Sequence, residues 1–258
     1  MQLRQVFRSL ANRNFALFFT GQLFSRIGMW MQRTAVIWVV YTVTHSAFMI
    51  GVATFAEQFP SFVFSIRGGI IADKYDRYKV LLITQALSAL QAIVLAVFAF
   101  MGNYNITLIL SLSVFLGIVN AYDVPVRQSL INEIIENRDD LPNAVALNSS
   151  LNNMARLVGP ALAGFVLARF GADYCFLSNA VSFVAVIGAI MMMRLPAYIP
   201  GGHHLKSKGN FKEAIHYLSE NKHIGMVILI AALSSFLVLP YITLLPVYAK
   251  VIFKGDAA

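Results

Sequence analysis

A short polar segment separates two long apolar runs in the first part of the chain, and it reads Gly68-Gly69-Ile70-Ile71-Ala72-Asp73-Lys74-Tyr75-Asp76-Arg77-Tyr78-Lys79. The run before it is Ala47–Ile66, and the run after it is Val80–Met101. Each run has about 20 residues, which is the length that an α-helix needs to cross the hydrocarbon core of a bilayer. The arrangement predicts two membrane-spanning helices joined by a charged loop.

The composition of the whole chain points to the same class of protein. Of its 258 residues, 58% are hydrophobic and only 12% are charged, whereas a typical soluble domain carries roughly 25% charged residues. So few charges cannot cover the surface of a water-soluble fold of this size, which excludes a soluble globular enzyme. We therefore predict an all-α membrane protein that is embedded in the lipid bilayer.

Five further apolar stretches bring the predicted number of spans to seven. They are Phe15–Thr42, Ile106–Tyr122, Ala144–Phe170, Tyr174–Met193 and Ile224–Tyr248. Residues 194–222 are polar and begin with helix-breaking proline and glycine residues. We predict that this segment is a linker with a short amphipathic helix at the membrane surface, the alternative being a flexible linker. The chain then divides into a six-helix bundle over residues 1–193, the linker over 194–222, and one helix over 223–258.

The basic residues are distributed unevenly between the two sides of these spans. The formal net charge is +8, and most of the 20 Lys and Arg residues fall on the side that carries the N-terminus. Because cytoplasmic loops collect Lys and Arg, we predict a cytoplasmic N-terminus. The membrane topology thus accounts for the excess of positive charge, and we expect no nucleic-acid partner.

The sequence carries no sign of a catalytic or cofactor site. It holds a single cysteine, Cys175, and therefore no CxxC pair. It also lacks a HExxH motif, while His203 and His204 lie in a loop rich in Pro and Gly. We expect no metal, no cofactor and no enzymatic activity.

Ionisable and amide side chains interrupt three of the apolar spans, and helical spacing places them in stripes. The residues are Gln22, Arg26 and Arg33 in the first span, Glu57 in the second, and Asn148, Asn152 and Arg156 in the fifth. Such residues usually face a bundle interior or a water-filled cavity, because exposure to lipid is costly. Interhelical hydrogen bonds, or arginines that reach the headgroups, are the structural alternatives.

A common cavity for these stripes would hold three arginines and one carboxylate, a formal charge of +2. This charge favours an anionic or polar-anionic substrate. Glu57 then has two possible roles, either as a structural partner of Arg26 or as a group that carries a proton. The fifth span also contains Gly159, Pro160 and Gly164, which together predict a bendable, closely packed site.

The charged segment at 68–79 resembles the signature between the second and third helices of the major facilitator superfamily, G-x-L-A-D-R-x-G-R-K. Gly69, Ala72, Asp73 and Arg77 match this signature, whereas Asp76 stands where most members have Gly. Three further stretches are similar to one branch, which contains enterobactin exporters and macrolide-efflux pumps. These stretches are 123–130, 141–148 and 156–164.

The resemblance implies twelve helices in two six-helix bundles that work by alternating access. The linker would join the bundles, and the seventh span would begin the second bundle. On this basis the chain is expected to be partial, or to pair with another copy, because the rest of the C-terminal bundle is missing. The implied location is a cell membrane, most simply the bacterial inner membrane.

The resemblance also implies roles for the charged loop. Gly69 would permit close contact with a facing helix, and Asp73 would lie against a helix N-terminus of the other bundle. Arg77 would bridge Asp73 to Asp123 and so hold a cytoplasmic gate shut. Gly159, Pro160 and Gly164 resemble the end of a motif associated with antiporters, which implies exchange for protons.

The leading functional hypothesis is export of a small molecule such as a siderophore, a macrolide or another amphiphile. A seven-helix receptor or light-driven pump is an alternative, although a cytoplasmic N-terminus would place its C-terminus outside. The seventh span also lacks a lysine suited to a retinal Schiff base, because Lys250 falls at its outer end. An incomplete, non-transporting membrane protein is the remaining alternative.

Overall fold

The computed structural model describes residues 7–135, 137–195, 220–221, 223–230 and 233–234. Six long helices account for most of the described chain. They are α1 (Arg13–Thr44), α2 (Ala47–Lys74), α3 (Arg77–Phe100), α4 (Ile106–Ile134), α5 (Leu141–Arg169) and α6 (Ala172–Met191). Short 3-10 helices at Arg8–Ala11 and Arg138–Asp140 precede α1 and α5.

Five segments of the described chain are long and apolar enough to cross a membrane, namely α2, α3, α4, α6 and Arg138–Arg169, which contains α5. The remaining helix, α1, is the longest at 32 residues, but its interior carries Gln22, Arg26, Gln32 and Arg33. Gln22 and Gln32 are only 1% and 2% exposed. Helix α1 therefore turns amide side chains into the bundle instead of presenting them to lipid. The predicted all-α membrane fold is confirmed.

The helices pack as two related groups of three. Helix α1 packs against α5 and α6, whereas α4 packs in the same way against α2 and α3, and α3 joins the groups by packing on α6. Successive helices run in opposite directions, so the start of α1, the α2–α3 and α4–α5 connections and the end of α6 lie at one end of the bundle. We call this end the charged end, because Arg8 pairs there with Asp140 and Arg77 pairs with Glu133.

Helix α4 is longer than the sequence predicted. Its span was expected to end at Tyr122, with a loop over residues 123–142, but the helix continues to Ile134. Asp123 and Arg127 are four residues apart and form an ion pair at 2.7 Å. Because each satisfies the other inside the protein, the helix continues through residues that looked like a loop. Arg127 is consequently a buried residue and not a loop charge.

Most of the predicted linker and most of the predicted seventh span lie outside the described residues. Within the seventh span, residues 223–230 and 233–234 are described, and they are helical.

The N-terminal segment holds the charged end together. Ser9 donates hydrogen bonds from its amide and its hydroxyl to Oδ1 of Asn143, at 3.1 and 2.7 Å. Asn14 exchanges two hydrogen bonds of 2.9 Å with the backbone of Arg194. The segment before α1 is thereby attached to the start of α5, and the first turn of α1 is attached to the chain that leaves α6.

Helices α2 and α4 touch backbone to backbone at two levels. A Cβ atom placed on Gly68 of α2 would lie 1.9 Å from the carbonyl oxygen of Ala121, and one placed on Gly117 of α4 would lie 2.1 Å from that of Glu57. No side chain fits in either gap. Small residues allow this approach, which lets van der Waals packing associate helices where the hydrophobic effect cannot.

We predict that Gly68→Ala lowers the free energy of unfolding by about 1–3 kcal/mol, because the added methyl group forces α2 away from α4. Thermal unfolding of the purified protein in detergent measures the change. Gly69→Ala is the matched control, since a Cβ there meets nothing within 4 Å. The control should be neutral or stabilising by up to about 1 kcal/mol. Equal effects of the two substitutions would contradict the close contact.

Candidate functional site

The polar side chains inside the bundle fall into two groups at different depths. The group nearer the charged end, the Asp123 cluster, contains Gln22, Arg26, Thr84, Gln85, Asp123 and Arg127. The group farther from that end, the Trp30 cluster, contains Trp30, Arg33, Glu57 and Arg156. The sequence predicted one cavity for both, and the structure separates them.

The Asp123 cluster is built around a carboxylate that is 3% exposed. One carboxylate oxygen accepts hydrogen bonds from the Thr84 hydroxyl at 2.9 Å and from the Gln85 amide at 2.7 Å. The other oxygen lies 2.7 Å from Nη1 of Arg127, which is itself buried. Asp123 thus has a hydrogen-bonding partner on each oxygen.

Two arginines in this cluster share one neutral acceptor. Oε1 of Gln22 accepts from Nε of Arg26 at 3.3 Å and from Nη1 of Arg127 at 3.4 Å. Among the described residues, no carboxylate lies within 4.0 Å of the Arg26 guanidinium. The cluster therefore contains two cations and one anion.

The Trp30 cluster joins α1, α2 and α5. The guanidinium carbons of Arg33 and Arg156 lie 5.3 and 5.4 Å from the centre of the Trp30 ring, in the range of cation–π contacts. Nε of Arg33 lies 3.7 Å from a carboxylate oxygen of Glu57. Glu57 thus pairs with Arg33, whereas the sequence had suggested Arg26.

Helix α5 reaches this cluster through its glycine. A Cβ on Gly159 would lie 2.4 Å from Cβ of Trp30, so the helices are in close contact here, as expected from sequence. Pro160 lies inside α5 without ending it, and Gly164 is half-buried. Asn152 donates a hydrogen bond to the backbone oxygen of Asn148 at 2.9 Å, within its own helix.

A chain of amides lies between the two clusters. Asn179 of α6 donates to Gln32 of α1 at 2.8 Å, and Gln32 donates to Gln91 of α3 at 3.0 Å. All three side chains are buried. The chain fixes the mutual register of α1, α3 and α6, since sliding one helix would leave a buried amide unsatisfied.

The charged end contains the segment that resembled a gating signature. Arg77 pairs with Glu133 of α4, lies 3.9 Å from Asp73, and donates to the backbone oxygen of Ala72 at 2.8 Å. The expectation that Arg77 bridges Asp73 to Asp123 is wrong, because Asp123 lies deeper in α4 and pairs with Arg127. The partner of Arg77 on α4 is Glu133.

Two other residues of this segment, Asp76 and Gly69, differ in the contacts that the structure shows for them. Asp76 caps the N-terminus of α3, since its side chain accepts from the amides of Tyr78 and Lys79 at 3.0 and 3.3 Å. A Cβ atom placed on Gly69 would meet nothing within 4 Å among the described residues. Its role in close helix contact therefore stays a prediction.

Several site residues escaped sequence reasoning. Trp30, Thr84, Gln85 and Arg127 were not proposed as part of any site. The third span carries Thr84, Ser88 and Gln91 at helical spacing. The reasoning that was applied to the polar residues of α1 would have identified this polar face of α3 and with it Thr84. Arg127 was missed because its segment was interpreted as a loop.

At the opposite end of the bundle, Tyr104 donates a hydrogen bond to the carboxylate of Asp173. Burial, followed by this hydrogen bond, raises the pKa of Tyr104 to about 12. The phenol is therefore neutral at physiological pH and ties the α3–α4 connection to the start of α6.

Comparison with known proteins gives a consistent set of similarities. A family model described as "Transmembrane secretion effector" matches residues 5–258. The chain is 29% identical over 245 residues to the staphyloferrin A transporter of Staphylococcus aureus, and 23% identical over 252 residues to macrolide efflux protein A of Streptococcus pyogenes. It is 24% identical over 183 residues to the enterobactin exporter EntS of Salmonella typhimurium.

The chain is shorter than these relatives. The first two alignments cover 93% of this chain but 60% of each relative, and the third covers 70% of this chain and 44% of the relative. Among solved structures, the POT family transporter PepTSo matches with a TM-score of 0.59 at 15% identity. That match covers 84% of this chain and 48% of PepTSo, and it concerns the fold alone.

We predict that Arg127→Gln lowers the free energy of unfolding by about 3–5 kcal/mol, because it leaves Asp123 buried without its cation. Adding Asp123→Asn to this variant should cost less than the sum of the two single changes. Denaturation of the four proteins in detergent measures the coupling. Strict additivity would mean that the two charges do not stabilise each other. Lys79→Gln is the control, since its exposed ammonium lies 3.9 Å from Asp76 and should contribute less than about 1 kcal/mol.

Proposed function

This chain belongs to the transmembrane secretion effector family of the major facilitator superfamily, and we propose that it serves the export of a small amphiphilic molecule by alternating access. The family consists of transporters and not of enzymes. The similarity to a staphyloferrin A transporter, a macrolide efflux protein and an enterobactin exporter supports a small-molecule substrate. We also propose that the charged end is cytoplasmic, as the distribution of Lys and Arg indicates.

The observation that carries the proposal is the Trp30 cluster. It places two guanidiniums, an indole and a carboxylate on three helices, midway between the ends of the bundle. Charged groups at such a depth are rare in membrane proteins and usually mark a substrate or ion pathway. Two of the helices, α2 and α5, also have the smallest buried fractions among the candidate spans, at 17% and 22%. The cluster therefore lies beside helices with widely uncovered faces.

The chemistry of the cluster favours a substrate with an anionic group and an apolar or aromatic body. Arg33 is engaged by Glu57, whereas no described carboxylate lies within 4.0 Å of Arg156. Arg156 is exposed and is thus the group that an anionic substrate would meet. Trp30 adds an apolar surface next to it. Gln22 and Arg26 belong to the Asp123 cluster and therefore lie outside this proposed substrate site.

We propose that export is coupled to proton entry through Glu57. A hydrogen-bond donor on the substrate binds the ionised carboxylate more strongly than the protonated acid, which keeps less acceptor capacity and gains an O–H donor. Substrate and proton would therefore occupy Glu57 in turn, as exchange requires. The pair with Arg33 keeps the ionised carboxylate in place between these states.

Export assays test the function and the role of Arg156 together. In cells that lack and then regain the complete gene, we expect Arg156→Gln to reduce export of anionic compounds several-fold more than export of cationic ones, because the variant loses the free cation. Arg169→Gln is the matched control, since it removes an exposed arginine at the far end of the same helix.

The outcomes of this assay separate the parts of the proposal. Equal losses for both classes of compound would mean that Arg156 is structural. Export that persists when an uncoupler collapses the proton gradient would contradict proton coupling. A gene that changes the export of no compound would contradict the transporter itself.

We also propose that Asp73 forms part of a cytoplasmic gate. Its side chain is 67% exposed at the end of α2 and touches Arg77 only at 3.9 Å. The carboxylate is thus available to a helix N-terminus outside the described residues, where a negative charge is stabilised by the helix dipole.

We predict that Asp73→Asn lowers the rate of transport while expression and substrate affinity stay unchanged, because the gate closes less stably. Transport into inverted vesicles and equilibrium binding of the same substrate measure the two quantities. Normal transport by this variant would rule out the gate. Asp139→Asn, an exposed carboxylate in the α4–α5 connection, controls for loss of surface charge.

A further inference from the structure

The Asp123 cluster borders a cavity of about 20 Å³ between α1, α3, α4 and α6, which is room for one or two water molecules. No residue of α2 or α5 lines it. The cavity is therefore inside the first bundle and away from the Trp30 cluster, where the proposed substrate binds. Its polar walls include Ser25, Arg26, Ser88, Asn120, Asp123 and Arg127.

The charges around this cavity do not balance. Asp123 is engaged on one oxygen by Arg127 and on the other by Thr84 and Gln85. Arg26 and Arg127 both lie within 3.4 Å of Oε1 of Gln22, so their two donor nitrogens are within about 7 Å of each other, where like charges repel. One positive charge is left over next to the cavity.

Unused hydrogen-bonding capacity accompanies this charge. Nε2 of Gln22, a side chain that is 1% exposed, has no hydrogen-bond partner among the described residues. Oε1 of Gln85, which lines the cavity, is an acceptor without a donor, and a water molecule beside the ion can satisfy it, whereas the ion itself cannot. A buried donor without an acceptor is destabilising, and so is a partly buried cation without a counter-charge. Arg26 and Arg127 are the charged donors on the cavity wall, so the site is stabilised by a ligand that brings one negative charge and accepts their hydrogen bonds.

We propose that this cavity binds a monovalent inorganic anion of the size of chloride, held by Arg26 and Arg127. The volume accommodates an ion close to water in size, whereas a carboxylate group with its carbon skeleton is too large. A single negative charge matches the single surplus cation. The anion would be a resident ion of the first bundle, and its binding does not depend on the proposed export function.

The bound anion would also explain how α1 tolerates Arg26 at this depth. Arg26 lies about 20 Å from the start of α1, at a rise of 1.5 Å per residue. With the anion present, Arg26 and Arg127 each face a negative charge, and the like-charge repulsion at Gln22 is offset. The proposal therefore predicts that the protein is more stable in chloride than in an anion that cannot enter.

Thermal unfolding of the purified full chain in detergent tests this site. At fixed ionic strength, replacing sodium gluconate by sodium chloride should raise the Tm in a saturable way by about 3–6 °C. Bromide should act like chloride. Arg26→Gln should abolish the difference, whereas Arg156→Gln, which removes an arginine from the Trp30 cluster, should retain all of it.

A milder variant keeps the test decisive if Arg26→Gln does not fold. Ser25→Ala removes one hydroxyl from the cavity wall and should raise the half-saturating chloride concentration several-fold. Equal Tm values for the unmodified protein in chloride and gluconate would overturn the proposal. It would also be overturned if acetate stabilised as well as chloride does, or if Arg26→Gln kept the full chloride effect.

Discussion

The buried ion pair between Asp123 and Arg127 is the interaction on which the interior of the bundle depends. It lets α4 remain helical through a polar segment, so that the helix reaches Ile134. The same two side chains bind Thr84 and Gln85 of α3 and Gln22 of α1. Three helices are thus held by one pair of charges. Because each charge is buried, either one alone would be strongly destabilising, and the two are stable only together.

This constraint also divides the polar residues of the chain into two sites. Gln22 and Arg26 turn toward Asp123, inside four packed helices, whereas Arg33 and Arg156 gather around Trp30 beside the uncovered faces of α2 and α5. The formal surplus of positive charge is therefore shared. One unit lies beside a small cavity of about the size of an ion, and one lies on Arg156, which is exposed. The first setting suits a resident ion and the second a substrate that comes and goes.

Close backbone contact supplies the rigidity that such sites need. Gly68 and Gly117 let α2 and α4 touch, and Gly159 does the same for α5 and α1 at Trp30. Helices packed in this way move as units and do not deform continuously. At the charged end, Arg77 ties α2 and α3 to Glu133 of α4. The exposed carboxylate of Asp73 is then the part of this network that remains available to another partner.

The sequence by itself determined the class of the protein, the existence of the six helices and the family. Each of these conclusions rests on a local pattern in the sequence. The patterns are the hydrophobicity over about 20 residues, the helical spacing of Arg26 and Arg33, and the signature around Asp73. The tertiary structure alone decided which polar groups meet. Glu57 pairs with Arg33 and not with Arg26, and Arg77 pairs with Glu133 and not with Asp123. These pairs join residues that are far apart in the chain, and their partners depend on how the helices are set against one another. The predicted end of α4 was wrong for the same reason. In a sequence, a charged residue that is buried with a partner cannot be distinguished from one in a solvated loop.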